Sequence, residues 1–159
     1  MKYLLVLSLF LSSVFSFAQN VPYITYEQLE KIIYKQDDTL RIVNFWATWC
    51  KPCIEELPEF EHINAEYKNQ KVKVILVSMD FKSKIDLQLK PYIQKNNIQS
   101  NVFVLDQADA NIWINAVSKE WSGSIPATIF TLQSKQLSFH EGKYSYDELK
   151  QKIQSIIQP

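Results

Sequence analysis

Cys50 and Cys53 are the only cysteines in the chain, and they lie within Asn44-Phe45-Trp46-Ala47-Thr48-Trp49-Cys50-Lys51-Pro52-Cys53. Two thiols at this spacing can close a disulfide on themselves and open it again. One pair supplies too few ligands for a four-coordinate zinc site, and it cannot tie distant segments together. As a staple it is weak, because closing a loop of about four residues removes only ~2 kcal/mol of unfolded-state entropy. The chemistry that suits the pair is thiol-disulfide exchange.

The elements around the pair sharpen its roles. Thr39 to Ala47 is a run of Leu, Ile, Val, Phe and Trp after a turn-like Asp37-Asp38, which predicts a buried strand. Cys50 to Tyr67 predicts a helix, with a kink expected at Pro58. A strand running into a helix sets Cys50 at the helix N-terminus. Free N–H groups and the helix dipole stabilise an anion there, so the Cys50 thiol is expected to ionise below the free value of about 8.5. Cys53 falls one turn on, within disulfide reach, and Pro52 suits a first turn that needs no N–H. Cys50 is therefore the expected nucleophile and Cys53 the resolving thiol. Lys51, exposed between them, adds a small, salt-sensitive pull in the same direction.

Beyond the pair, strands and helices alternate. Tyr26 to Tyr34 has helical spacing at Leu29, Ile32 and Ile33, with Thr25 and Gln28 placed for a capping box. A second buried strand is predicted over Lys71 to Met79, a helix interrupted by Pro91 over Ile85 to Asn96, and a short strand over Asn101 to Leu105. A helix follows over Ala108 to Val117. Two strands, Ala127 to Leu132 and Gln136 to His140, are joined by a turn at Gln133-Ser134-Lys135. A last helix covers Tyr146 to Ile157, with Ser145 and Glu148 placed as cap and partner. The pattern predicts an α/β fold in one domain: a mixed sheet with helices on both faces.

Composition agrees. Of 159 residues, 47% are hydrophobic, enough for a packed core. The net charge of zero removes the basic face that a nucleic-acid partner requires. Met1-Lys2-Tyr3, then an apolar stretch from Leu4 to Phe17 ending in Ser16-Phe17-Ala18, reads as a secretory signal peptide cleaved after Ala18. The alternative is an uncleaved membrane anchor, although the stretch is shorter than the roughly 20 residues that span a bilayer. The expected organisation is residues 1–18 as signal peptide and 19–159 as the folded domain. Export would put the pair where thiols tend to be oxidised.

The segment from Asn44 to Cys53, followed by Glu56 and Leu57-Pro58, resembles the active site of the thioredoxin superfamily, and within it the exported TlpA/ResA-like thiol-disulfide oxidoreductases. Ser124-Ile125-Pro126-Ala127-Thr128 stands where that family has a cis-proline loop, and Gly142 matches a glycine beside it. Phe81 to Asp109 resembles the helix and strand inserted in this branch. The resemblance implies a thioredoxin-like three-layer sandwich and a substrate groove bordered by Trp49, Lys51, Pro52, Ile125, Pro126 and Gly142. It implies protein disulfides as substrates, no cofactor, and a membrane thiol carrier as electron donor to a monomer in the periplasm. Cytochrome c maturation is a task of relatives. Pro52 before Cys53 resembles the reducing members more than the strong oxidants.

One departure matters. Thioredoxin itself has a buried aspartate where this chain has Asn44, and asparagine cannot take a proton from Cys53. Glu56, three residues after Cys53 on the same helix, is the expected replacement: a buried carboxyl with a raised pKa that exchanges a proton with Cys53. Two other readings compete. A peroxide-reducing redoxin would pair its cysteine with an upstream threonine and a nearby arginine; Thr48 is misplaced for that, and Arg41 is the only arginine. A binding domain with a static disulfide would leave the Ile-Pro loop without purpose. His62 and His140 are too few and too far apart to complete a metal site with the cysteines, so no metal is expected. Trp121, just before the Ile-Pro loop, suits either partner binding or the core.

Overall fold

The computed structural model of the chain describes residues 21–106 and 110–157. The signal segment and its cleavage site lie outside the described residues.

The strand that leads to the cysteines, β2 (Leu40–Trp46), is buried at every position. Its side chains alternate between two cores. Leu40, Ile42 and Trp46 face one that contains Leu57, Phe60 and Ile63 of α2 (Lys51–Glu66) with Leu149 and Ile153 of α5 (Tyr146–Ile157). Val43 and Phe45 face the other, against Leu29 and Ile33 of α1 (Tyr26–Ile33) and Trp113 and Val117 of α4 (Ala110–Val117). A strand apolar on both faces must lie inside a sheet covered on both sides, and β2 does. The sheet order is β1-β4-β3-β2-β5-β6. Here β1 is Tyr23–Ile24, β3 Val72–Ser78, β4 Asn101–Leu105, β5 Ala127–Leu132 and β6 Lys135–Glu141. β2 runs parallel to β3 and antiparallel to β5, in the register Asn44 to Thr128 and Phe45 to Ala127. That pairing fixes the chain after Ile125-Pro126 beside the end of β2.

The expected elements form among the described residues, with three refinements. β1 has two residues, too few for any periodicity; it pairs with β4 through Tyr23–Val104 and Ile24–Leu105. The segment expected as one helix up to Asn96 divides into a 3₁₀ turn (Lys82–Lys84), a π-helical turn (Ile85–Leu89) and α3 (Lys90–Lys95). Pro91 lacks the N–H that a continuous α-helix would use and takes a first-turn position in α3 instead. The hairpin turn is two residues, not three. Gln133 and Ser134 both have positive φ, 51° and 62°, as tight hairpins with right-handed strand twist require, and Lys135 belongs to β6. Of the helix expected over Ala108 to Val117, the first two positions lie outside the described residues, and Ala110–Val117 is helical.

The caps form as the sequence predicts. Thr25 Oγ1 accepts from the Gln28 N–H while Gln28 Oε1 accepts from the Thr25 N–H. Ser145 and Glu148 make the same exchange at the start of α5. Arg41, though on the central strand, is buried because its guanidinium forms a two-pronged pair with Asp37 at 2.8 and 2.7 Å.

Candidate active site

Cys50 is the N-cap of α2, in extended backbone, and its Sγ accepts from the Cys53 N–H at 3.3 Å. A helix start leaves such N–H groups without intrahelical partners. Here one is aimed at sulfur, the geometry that would stabilise a thiolate once the pair is reduced. The two cysteines are joined as a disulfide, with Cα atoms 5.2 Å apart. They are not equivalent: Cys50 is 6% exposed and Cys53 fully buried.

Two distant segments close on the pair. The Ile125–Pro126 peptide is cis, and the Ile125 carbonyl oxygen lies 3.6 Å from Cys50 Sγ. The Pro126 carbonyl accepts from the Gly142 N–H at 2.9 Å. Gly142 has φ 132°, and an added Cβ would meet His140 Nε2 at 3.2 Å. The positive φ favours glycine here, and the His140 ring would have to give by a few tenths of an ångström to admit a Cβ. Gly142→Ala is expected to cost about 2 kcal/mol, measured by urea unfolding, and to loosen the proline loop. Around the opening, Lys51, Pro52 and Trp49 are exposed, Ile125 is half-buried and Pro126 buried.

Behind the disulfide, Glu56 is 1% exposed. Its Oε1 accepts from Asn44 Nδ2 at 2.8 Å and its Oε2 from the Tyr144 N–H at 2.7 Å. Asn44 Nδ2 also donates to Thr128 Oγ1 at 3.1 Å. Burial pushes the Glu56 carboxyl up to about 7, against the Tyr144 N–H, the Asn44 amide and the nearby Lys143 charge, which all favour the ionised form. Cys53 and Glu56, three residues apart on α2, are both fully buried. Asn44 thus does not stand in for an acid. It holds one.

A family model described as the AhpC/TSA family matches residues 19–139. The chain belongs to that family. Among its relatives, a thioredoxin-like protein, YneN, from Bacillus subtilis is 28% identical over 114 residues, covering 70% of this chain and 62% of that protein. The thiol-disulfide oxidoreductase ResA of Oceanobacillus iheyensis is 49% identical over 39 residues, or 24% of this chain and 20% of that one. The chain thus spans less than two thirds of the length of either relative. Among solved structures, a thioredoxin-family thiol:disulfide interchange protein from Chlorobium tepidum superposes with a TM-score of 0.64 at 18% identity, over 79% of this chain and 83% of that one. StoA from Bacillus subtilis does so with a TM-score of 0.57 at 20% identity, over 74% and 84%. These likenesses establish the thioredoxin-like α/β fold.

In this family member the loop between β2 and the cysteines has a second anchor that its sequence did not reveal. Asp80, buried just past the end of β3, accepts from the Thr48 N–H at 3.2 and 3.1 Å and from the Thr48 hydroxyl. The Ser78 hydroxyl donates to the same carboxylate at 2.8 Å. The available signal was positional: functional groups of parallel sheets gather at the carboxyl ends of the strands, and Asp80 follows an apolar strand at that end. Trp121 resolves to the core. It is buried against Phe45 and Trp113, and its Nε1 donates to the Ser124 carbonyl at 2.7 Å, bracing the proline loop from within. His62 stacks on Tyr146 and His140 packs on Tyr144.

Proposed function

We propose that the protein is an exported thiol-disulfide oxidoreductase that reduces or exchanges disulfides in proteins outside the cytoplasm. The observation that carries this reading is the unequal burial of a helix-capping disulfide whose outer sulfur lies against the Ile125 carbonyl. In the reduced protein the Cys50 thiolate attacks a substrate disulfide. One S–S bond breaks, a mixed disulfide forms, and the first substrate sulfur leaves as a thiolate. Cys53 gives its proton to Glu56 and attacks Cys50 Sγ, releasing the second substrate sulfur. Two electrons pass to the substrate and the pair returns to the disulfide. An external dithiol must then reduce it again, and in this reading a membrane thiol carrier does so. Residues 1–18 direct export and are removed after Ala18, leaving 19–159 as a periplasmic monomer. Maturation of cytochrome c is one task that fits such a reductant. Trp49, Lys51, Pro52, Ile125, Pro126 and Gly142 border the substrate.

A peroxide-reducing mechanism finds little support in the geometry. Thr48 is committed to Asp80, and Arg41 is paired to Asp37 at the far end of β2 from the cysteines. The deciding experiment is exchange by the prereduced protein with a model disulfide and with hydrogen peroxide. Disulfide reduction is expected in the wild type and not in Cys50→Ser, while Cys53→Ser should accumulate the mixed disulfide. A pair that no dithiol reduces, or activity that persists in Cys50→Ser, would sink the proposal.

A further inference from the structure

A single exposed apolar side chain is ordinary, but exposed apolar side chains packed together mark a surface that meets something. Two of them stand together beside Cys50. Trp49 is 56% exposed and Phe81 60%, and their rings stack with centroids 6.5 Å apart, in near-parallel planes. Phe81 comes from the turn after β3, more than thirty residues away in sequence. The strip continues: Lys82, the next residue, lies over the exposed Tyr23 ring of edge strand β1 at 5.7 Å. The strip thus runs from the residue next to the outer cysteine to the edge of the sheet.

Its exposed charges are mainly cationic. Lys51, Lys82 and Lys84 are exposed along it. Of the carboxylates nearby, Asp80 is buried and turned inward onto Thr48 and Ser78, Asp86 is paired to Lys90 at 2.6 Å, and Asp106 acts on Tyr23 at the far end. A ledge of two aromatic rings with a cationic margin fits an apolar side chain followed by carboxylates.

We propose, building on the thiol-disulfide reading, that Phe81 and Trp49 form a specificity ledge. It selects polypeptide disulfides whose reacting cysteine is flanked by a large apolar side chain and then by acidic residues. Phe81 is the discriminating member, because Trp49 is tied to the cysteine segment itself. Its ring covers the partner's apolar side chain, and Lys82 and Lys84 meet the acidic residues. The occupant is a substrate rather than a resident partner, since the ledge is continuous with the sulfur that must be reached.

The test uses the prereduced protein in single turnover with three disulfides. Two are peptides of the same acidic sequence, with leucine or serine beside the cysteine. The third is bis(2-hydroxyethyl) disulfide, which carries no such side chain. Phe81→Ala is expected to raise the half-saturating concentration of the leucine peptide by about tenfold, as loss of most of one buried apolar contact implies. The serine peptide and the small disulfide should be unaffected. Phe81→Leu should recover most of the loss, and because Phe81 is exposed both variants should fold. Equal losses on all three disulfides would make Phe81 merely structural, and no loss on any would mean the ledge is unused. Either result overturns the ledge while leaving the exchange reading intact. A wild type that exchanges with none of the three overturns both.

Discussion

Glu56→Gln is expected to make the protein more stable than wild type at pH 8, to give no gain at pH 4, and to slow thiol-disulfide exchange. The stability effect follows from the sign of the shift. The buried carboxyl titrates at about 7 against an ordinary 4.5. Between those values the folded chain holds a proton that the unfolded chain has released. Folding stability from this group is therefore fully present below about pH 4.5 and is lost as pH rises through about 7, to a total of about 3 kcal/mol. Glutamine has no proton to lose, so its profile should be flat across that window. The site can accept the amide. The glutamine carbonyl would take the Tyr144 N–H, and its NH₂ would face Asn44, whose buried Oδ1 has no hydrogen-bond partner. Turning the Asn44 amide end for end supplies that acceptor, and the Thr128 hydroxyl can reverse to donate. The same turn would accommodate protonated Glu56 in the wild type. Exchange should nonetheless fall by about 10²-fold, the usual contribution of a positioned base, and its inflection near pH 7 should vanish. Urea unfolding at pH 4, 6 and 8 with the disulfide intact, together with stopped-flow exchange across the same range, checks both. Parallel stability profiles would mean Glu56 does not titrate as described, and an unchanged exchange profile would remove it from the mechanism.

What could be read from the sequence was what its local chemistry enforces. The junction of β2 and α2 was legible because a largely apolar run must be buried and Pro52 suits a first turn. Glu56 was legible through the family resemblance: thioredoxin has a buried aspartate where this chain has Asn44, and a carboxyl one helical turn after Cys53 was the expected replacement. The structure adds that Asn44 is the hydrogen-bond donor holding that acid, a relation between β2 and α2 that no spacing encodes. The cis peptide at Ile125–Pro126 and the placement of Gly142 rested on family resemblance, because the residues themselves do not choose the isomer or bring position 142 to the loop. Asp80 and Phe81 stayed hidden for one reason. Both lie just past the end of β3, where the chain leaves regular structure, and periodicity says nothing of which way such residues turn. One turns inward to grip the active-site loop and the other outward beside Trp49.

That grip predicts the second large effect. Asp80→Ala should destabilise the protein by about 3 kcal/mol, because it strips the acceptor from the Thr48 N–H, the Thr48 hydroxyl and the buried Ser78 hydroxyl at once. Asp80→Asn should cost less. Its carbonyl still accepts from Thr48, and its NH₂ can donate to Ser78 Oγ, which already accepts from the residue 80 N–H at 3.1 Å. Thr48→Val removes the hydroxyl and keeps the backbone donor, so it should cost about 1 kcal/mol. In the Asp80→Ala background that cost should largely disappear, since its acceptor is already gone. The loop that Asp80 holds runs directly into Cys50, so loosening it should also slow exchange in Asp80→Ala more than in Asp80→Asn, at a pH where both are folded. Chemical denaturation of the two singles and the double gives the coupling. Additive losses would show that Thr48 and Asp80 act independently, and unchanged exchange in a folded Asp80→Ala would show that Cys50 keeps its place without this anchor.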